Sequence, residues 1–198
     1  MGKIVVINHV TLDGVMQSPG RPDEDPRDGF EHGGWARSGG SDPAQQQIMG
    51  ERMGTSWSLL LGRRTYVDFA GFWPHQTEPN PFGAALTKVQ KYVASTTLTA
   101  PLAWENSTLL PGDVAAAVAE LRQQADTALV VFGSGQLIRT LRRHHLVDEY
   151  LLMIHPLLLG TGRRLFADDG AVEALRLVDA TTTSTGVVAA TYLPARSD

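Results

Sequence analysis

The sequence predicts an α/β fold with a mixed, mostly parallel central sheet, helices on both faces and a C-terminal antiparallel hairpin. One observation is a strand–helix–strand unit: the apolar run 128–132 meets a Gly-Ser-Gly turn at 133–135, helical apolar spacing follows, and a second apolar run covers 150–159. Another is the turn signal at residues 184–186 between two strand-like segments. Strands joined by helices early and a hairpin late give this mixed sheet.

The other elements follow from apolar periodicity and from residues that begin or end helices. Continuous apolar or β-branched runs predict buried strands, and a polar centre predicts an edge strand. Proline in a first turn and aspartate before an apolar stripe predict helix starts. We therefore predict further strands at residues 4–10, 57–61, 92–94 and 104–110, a hairpin from 174–183 and 187–193, and helices starting at Pro43, after Gly62, near Phe82 and after Asp113.

Length and composition describe an ordinary globular domain. The chain has 198 residues, of which 42% are hydrophobic and 19% charged, and we expect one domain over residues 1–198. The net charge of −4 argues against a nucleic-acid partner. No apolar stretch fits a signal segment or a membrane span, so no membrane role and a cytoplasmic location are expected.

The sequence predicts no metal site. Cysteine is absent, which excludes disulfides, thiolate nucleophiles and thiolate metal ligands. His75 stands alone in a loop, without ligand partners at usable spacing.

The turn after residues 128–132 is the first candidate ligand site. Glycines allow close backbone approach, and the helix start offers unpaired N–H groups that suit a pyrophosphate. Tight-turn geometry alone would equally explain the glycines. The candidate residues are Gly133, Ser134, Gly135, Gln136 and Leu137.

This turn is not a Rossmann fingerprint. Ile138 replaces the third glycine, and Met153 stands where an acidic residue would be expected about twenty residues further on. A dinucleotide at this turn therefore implies another fold.

A second strand runs directly into Gly62-Arg63-Arg64-Thr65. Backbone N–H groups, a hydroxyl and a guanidinium here form a second candidate anion site. The alternative is an ordinary helix start with surface arginines. The pair Arg163-Arg164 near the C-terminus leaves the same choice, between a contact to a substrate phosphate and exposed arginines on a glycine loop.

Residues 17–40 form a long loop rich in glycine, proline and aspartate. Loops of this length in compact domains are usually functional or mobile. Phe30 and Trp35 are its large apolar residues, and they either fold the loop over a substrate or pin it to the core.

Several motifs together resemble one protein family. They are TLDG, LLLGRRTY, FWP, YVAST, WENSTLL, GSGQLIRTL, LVDEYLL and HPLLLGTGRRLF, in this order over nearly the whole chain. The chain resembles stand-alone dihydrofolate-reductase-like proteins related to the C-terminal reductase domain of the bifunctional riboflavin-biosynthesis deaminase/reductase. The resemblance implies a three-layer dihydrofolate-reductase-like fold, NADPH as cofactor and a homodimer.

The resemblance also implies roles for single residues. Gly62, Arg63 and Thr65 match the family segment that holds the NADPH phosphates, and Ser95 matches a serine at the adenosine 2′-phosphate. Thr96 stands where a basic residue often follows that serine, so NADH is a possible cofactor as well. Asp13 matches an aspartate beside the nicotinamide and substrate region, which suggests orientation or proton delivery; capping of its own turn is the alternative.

The function expected from the sequence is hydride transfer from NADPH, or NADH, to a small, heterocyclic or carbonyl-like substrate. Dihydrofolate reduction itself is not supported, because Glu51 does not match the acidic residue of that enzyme. One alternative is 5-amino-6-(5-phosphoribosylamino)uracil reductase of riboflavin biosynthesis, which the absence of an attached deaminase domain disfavours. The other is a nucleotide-binding protein without catalytic activity.

Overall fold

The computed structural model describes residues 1–37, 42–78, 80–166, 170 and 172–195. The strands are β1 (Ile4–Thr11), β2 (Trp57–Gly62), β3 (Lys91–Ala94), β4 (Ser107–Leu110), β5 (Ala128–Phe132), β6 (Glu149–His155), β7 (Leu175–Thr182) and β8 (Val188–Pro194). The α-helices are α1 (Pro43–Met53), α2 (Arg63–Phe72), α3 (Pro81–Lys88), α4 (Val114–Gln124) and α5 (Gly135–Arg143).

The strands form one eight-stranded sheet in the order β4-β3-β2-β5-β1-β6-β8-β7. Strand β2 pairs in parallel with both β3 and β5, and β3 pairs in parallel with β4. Strand β8 pairs antiparallel with β6 and β7. The sheet is therefore mixed and mostly parallel, with a C-terminal hairpin, and the predicted fold class is confirmed.

The chain forms two compact units, and neither is continuous in sequence. The first comprises Met1–Val5 and Met53–Val147, and the second comprises Val6–Arg52 and Asp148–Asp198. The expectation of a single domain over residues 1–198 stays a prediction.

The first unit is a parallel α/β layer whose central strands are buried on both faces. In β2 the three residues Leu59, Leu60 and Leu61 are fully buried. In β5 the run 129–131 is equally inaccessible. Continuous rather than alternating apolar sequence is the pattern expected of strands covered on both faces, which explains why these strands were recognisable.

The second unit contains the antiparallel strands β6, β8 and β7 together with α1. Asp42 caps α1 by accepting the N–H of Ala44 at 3.0 Å. The other carboxylate oxygen of Asp42 accepts the hydroxyl of Thr185, in the β7–β8 turn, at 2.9 Å. These hydrogen bonds, with that to Thr185 first, lower the pKa of Asp42 and tie the helix start to the hairpin.

Two predicted strands are longer than the observed ones. The apolar run 150–159 leaves the sheet after His155, because Pro156 lacks an N–H and the N–H groups of Leu159 and Gly160 bond to the carboxylate of Asp13. Strand β4 begins only at Ser107, because the N–H of Trp104 bonds to the Tyr66 hydroxyl at 2.9 Å instead of to a strand.

The described part of the long loop, residues 17–37, is pinned; residues 38–40 lie outside the described residues. Phe30 and Trp35 are buried against Val15, and the Trp35 indole N–H donates to the Gln17 carbonyl at 2.7 Å. Gly162 packs against the same cluster, where an added Cβ would stand 2.6 Å from a Phe30 ring carbon and 2.8 Å from a Val15 methyl. The two aromatic residues therefore act as anchors in this structure.

A buried ammonium holds the start of β3. Lys91 is fully buried, and its Nζ donates to the carbonyls of Thr87, Val89 and Glu105 at 2.8, 2.8 and 3.0 Å. The same Nζ lies 4.4 Å from the centre of a Trp104 ring. Burial lowers the pKa of Lys91 to about 8, so the side chain remains protonated at neutral pH.

Lys91→Met should lower the free energy of unfolding by roughly 2–3 kcal/mol, because three carbonyls lose the charged donor of a buried side chain. Urea denaturation at pH 7 measures the difference. Lys88→Met is the matched control, since Lys88 is exposed at the end of α3. Equal denaturation midpoints for the two variants would contradict this role of Lys91.

Candidate functional site

The predicted cofactor residues lie at the carboxyl ends of three neighbouring parallel strands of the first unit. Gly62, the last residue of β2, pairs with Ala94, the last residue of β3, and Ser95 follows directly. Strand β5 pairs with β2 in the register Leu59 to Val130, and Gly133 follows its last residue. In open α/β sheets this carboxyl edge is where ligands bind.

The boundary between β2 and β5 is also a topological switch point. From β2 the chain passes through α2 and α3 to β3 on one side, and from β5 it passes through α5 to a strand on the other side. Helices that leave neighbouring strands in opposite directions leave room between their N-termini. The two segments singled out from the sequence, after β2 and after β5, border this position.

The turn between β5 and α5 requires glycine at its first position. Gly133 has φ +53°, and an added Cβ would stand 2.9 Å from the Thr65 hydroxyl oxygen. Ser134 follows, also in the left-handed region, with φ 51° and ψ 37°. The turn thus sets two successive residues in a conformation that favours glycine, and only the first is a glycine.

Two hydrogen bonds join this turn to the start of α2. The Ser134 N–H donates to the Thr65 hydroxyl at 2.9 Å, and the Gly62 N–H donates to the Ser134 hydroxyl at 3.0 Å. The structure therefore brings Gly62 and Thr65 next to Gly133 and Ser134, which lie about 70 positions further along the sequence.

Helices α2 and α5 differ from the other described α-helices in their first turns. Asp42, Asn80 and Asp113 cap α1, α3 and α4 by accepting an N–H of the first turn. At Gly62 and Ser134, the cap positions of α2 and α5, no side chain accepts such a bond. Backbone N–H groups and the positive end of each helix dipole are therefore left for another acceptor.

Three further predicted cofactor residues of the first unit differ in their solvent exposure. Arg63 and Gln136 are exposed, and within the described residues neither side chain has a hydrogen-bonding or ionic partner. Leu137 is buried, and its Cβ is 3.7 Å from where a Gly62 Cβ would stand, so it packs beneath the turn.

Ser95 organises the turn after β3. Its hydroxyl oxygen accepts the N–H groups of Thr97 and Leu98 at 3.1 and 3.0 Å. The hydroxyl hydrogen of Ser95 remains as its donor. The two amides are committed to Ser95, so they contribute nothing to a 2′-phosphate at this turn.

Asp13 lies in the second unit, in the turn after β1. Its carboxylate accepts the Thr11 hydroxyl at 2.5 Å and the N–H groups of Leu159 and Gly160 at 3.3 and 2.8 Å. The Thr11 hydroxyl, followed by these two amides, lowers the pKa of Asp13 to about 2. Asp13 is therefore ionised at neutral pH and holds the segment after β6.

Both arginines of the 156–166 segment have protein partners. Arg163 forms an ion pair with Asp28 at 2.6 Å. The Nε of Arg164 donates to the Asp13 carbonyl at 2.9 Å, and another of its nitrogens lies 3.7 Å from the Asp13 carboxylate. These contacts account for both arginines without a phosphate.

The sequence did not point to a pair of histidines in the second unit. The Nδ1 of His9 lies 2.9 Å from the Nε2 of His155, and Trp35 packs edge-on against His155. Burial, and then the charge of His155, lowers the pKa of His9 to about 4; burial also lowers the pKa of His155. When both imidazoles are neutral, one ring can donate its N–H to the unprotonated nitrogen of the other. The only available signal was Asn8-His9 inside an otherwise apolar strand.

Comparison with known proteins assigns the family. The family model described as the RibD C-terminal domain matches residues 2–189. The chain belongs to the RibD C-terminal domain family. Its fold is dihydrofolate-reductase-like, and the predicted resemblance is confirmed.

Curated and solved relatives agree with this assignment. The uncharacterized protein YyaP of Bacillus subtilis is 29% identical over 139 residues, 68% of this chain and 72% of that protein. A Shewanella sp. PV-4 structure, described as "Putative riboflavin biosynthesis protein", superposes with a TM-score of 0.68 at 21% identity, covering 98% of this chain and 99% of that one. Dihydrofolate reductase of Enterococcus faecalis, complexed with NADP(H) and RAB-propyl, gives a TM-score of 0.61 at 15% identity, covering 98% of both chains.

The described residues of this RibD C-terminal domain protein lack two further features. Among the described residues, no helix is long and apolar enough to cross a membrane. In the same part of the chain, no group of three or more His, Asp or Glu side chains has the arrangement of a metal site.

Gly133→Ala should lower the free energy of unfolding by roughly 1–3 kcal/mol, because alanine at φ +53° is strained and its Cβ meets the Thr65 hydroxyl. Gly62→Ala should change it by less than about 0.5 kcal/mol, because an added Cβ makes only ordinary contacts there. Urea denaturation compares them, and an equal loss in both would contradict the assignment of the turn geometry to Gly133.

Asp13→Asn should lower the free energy of unfolding at pH 7 by roughly 1–2 kcal/mol, because an amide cannot accept all the hydrogen bonds made to the carboxylate. The pKa of Asp13 is depressed in the folded state, so its stabilisation is present above pH 4 and is lost as the pH falls towards 2. The gap between wild type and variant in urea denaturation should therefore close over that range.

Asp23→Asn is the control for Asp13, since the Asp23 side chain is 85% exposed. A pH-independent gap for Asp13→Asn, or an equal effect of Asp23→Asn, would contradict the assignment.

Proposed function

We propose that this protein is a reductase that binds a nicotinamide dinucleotide at the β2–β5 edge and reduces a small heterocyclic substrate. The observation that carries the proposal is the pair of uncapped helix starts, α2 and α5, joined through Thr65 and Ser134. Membership of the RibD C-terminal domain family supports it. NADPH supplies a hydride when bound, and the chain has to hold it and orient the substrate.

The diphosphate of the cofactor accounts for the free donors of the first unit. Phosphate oxygens accept hydrogen bonds only, and they suit N–H groups at a helix start. The exposed guanidinium of Arg63, in the first turn of α2, adds a positive charge with no competing partner among the described residues. Gly135 and Gln136 are proposed to contribute their backbone N–H groups, whereas the Gly62 N–H is held by the Ser134 hydroxyl, so Gly62 is proposed to shape the start of α2.

NADH is proposed as a cofactor alongside NADPH. A 2′-phosphate at the turn after β3 meets the Ser95 hydroxyl hydrogen and the neutral Thr96, and the amides of Thr97 and Leu98 are already committed. Neutral donors discriminate a dianionic phosphate less than a cation does. A modest preference for NADPH follows from this arrangement.

Asp13 is proposed to act in substrate orientation rather than in proton delivery. A carboxyl group with a pKa of about 2 carries no proton at neutral pH. The family resemblance implies an aspartate of this motif beside the substrate, and hydrogen bonds from Leu159 and Gly160 to Asp13 fix the segment after β6.

The ionised state of Asp13 also favours the second candidate function, a nucleotide-binding protein without catalytic activity. Reduction of a phosphoribosylaminouracil ranks lower, because Arg163 and Arg164 already contact Asp28 and Asp13. NADPH oxidation tested across pterins, pyrimidines and quinones separates the candidates. Cofactor binding with oxidation by one substrate class supports the reductase, whereas binding without oxidation supports the binding protein.

Arg63→Ala should weaken NADPH binding by about 1.5 to 3 kcal/mol, because a charged donor to a phosphate is lost. Titration followed by nicotinamide fluorescence measures the dissociation constants. Arg176→Ala is the control, an equal change of charge at an exposed position on β7. Unchanged affinity in Arg63→Ala would remove Arg63 from the site, and failure of wild type to bind either dinucleotide would refute the proposed function.

A further inference from the structure

Ser134 occupies a position where its side chain is not needed for the turn itself. With φ 51° and ψ 37° it is in the left-handed region, which costs a non-glycine residue of order 1 kcal/mol or more. Glycine would adopt this conformation freely. Ser134 is the cap position of α5, yet its hydroxyl caps nothing in that helix. The hydroxyl accepts the N–H of Gly62, at the start of the neighbouring helix.

Thr65 behaves differently from other helical threonines of this chain. The hydroxyls of Thr87 and Thr140 donate to the carbonyl four residues earlier in their own helices, at 3.0 and 3.3 Å. The Thr65 hydroxyl accepts the Ser134 N–H instead. Within the described residues, neither Thr65 nor Ser134 donates its hydroxyl hydrogen to a protein acceptor.

The two bonds run in opposite directions between the same two turns. Each turn supplies one N–H and one hydroxyl oxygen, so neither helix start can shift along its axis without breaking at least one bond. Each oxygen accepts one backbone N–H, which restricts where its own hydrogen can point. Each hydroxyl keeps its hydrogen as a donor, beside one further acceptor lone pair.

We propose that Ser134 is a positioning residue that fixes the starts of α2 and α5 as one rigid receptor for the cofactor diphosphate. This inference rests on the proposed function, and it concerns how the site is held. We call the two reciprocal hydrogen bonds, from Gly62 to Ser134 and from Ser134 to Thr65, the brace. The brace positions the groups proposed to bind the diphosphate, which NADPH and NADH share. Loss of the brace should therefore weaken the binding of both cofactors equally, whereas loss of a contact to the 2′-phosphate would weaken the binding of NADPH alone.

The test compares Ser134→Gly, Thr65→Val, Thr65→Ser and the Ser134→Gly/Thr65→Val double variant. Glycine at position 134 keeps the backbone conformation and removes the hydroxyl. Valine at position 65 keeps the shape of threonine but has no acceptor oxygen, whereas serine at position 65 keeps that oxygen. Thr140→Val is the matched control on α5, since it removes a hydroxyl bonded within its own helix. The readouts are dissociation constants for NADPH and NADH, hydrogen exchange of the Gly62 amide without ligand, and thermal unfolding.

The expected result is a loss of affinity of about tenfold for both cofactors in Ser134→Gly and in Thr65→Val. The loss of affinity in the double variant should be smaller than the product of the losses in the two single variants, because both substitutions loosen the same brace. Thr65→Ser should bind like wild type, and Thr140→Val should be unchanged. The Gly62 amide should exchange faster in Ser134→Gly with no ligand present.

Three results would overturn the inference while leaving the proposed function intact. These are wild-type affinity in Ser134→Gly, a loss confined to NADPH, and weaker binding with unchanged exchange of the Gly62 amide, which makes the hydroxyl a direct ligand contact. A wild-type protein that binds neither dinucleotide refutes the proposed function and this inference with it, and the wild-type titration alone identifies that case.

Discussion

The parallel pairing of β2 with β5 is the constraint on which the candidate site depends. It sets two strand ends side by side, so that the turns after them, distant in sequence, meet at one edge. Burial on both faces holds the pair together. The reciprocal bonds between the two turns are possible only because this register is fixed. The site is thus a product of the sheet, and its donors are mostly backbone groups whose position the side chains secure.

The strands, turns and helix starts that form this edge could be predicted from the sequence, because each is indicated by residues that are close together in the chain. The apolar runs of β2 and β5 and the glycines after them identify strand ends and turns without knowledge of partners. Asp113 and Pro43 similarly mark helix starts. The residues Gly62, Arg63 and Thr65 alone fit both an anion site and an ordinary helix start, and the family resemblance favours the anion site.

Other features depend on partners distant in sequence and could not be predicted. The bond between Ser134 and Gly62 spans 72 positions, and those from Leu159 and Gly160 to Asp13 span 146 and 147. The ionised state of Asp13 follows from these partners, so its chemical role could not be deduced from the TLDG motif. The end of β6 was missed for the same reason, since the apolar run continues while its N–H groups turn towards Asp13.

The contact of Gly162 with Phe30 and Val15 has a consequence for sequence change in this protein. The three residues fill one volume without spare space, and the φ of +104° at Gly162 strains any side chain there whatever the space. Glycine at position 162 therefore lets the segment after β6 pack directly on the loop after β1. A loop transplanted from a relative has to present side chains no larger than Val15 and Phe30 towards this glycine.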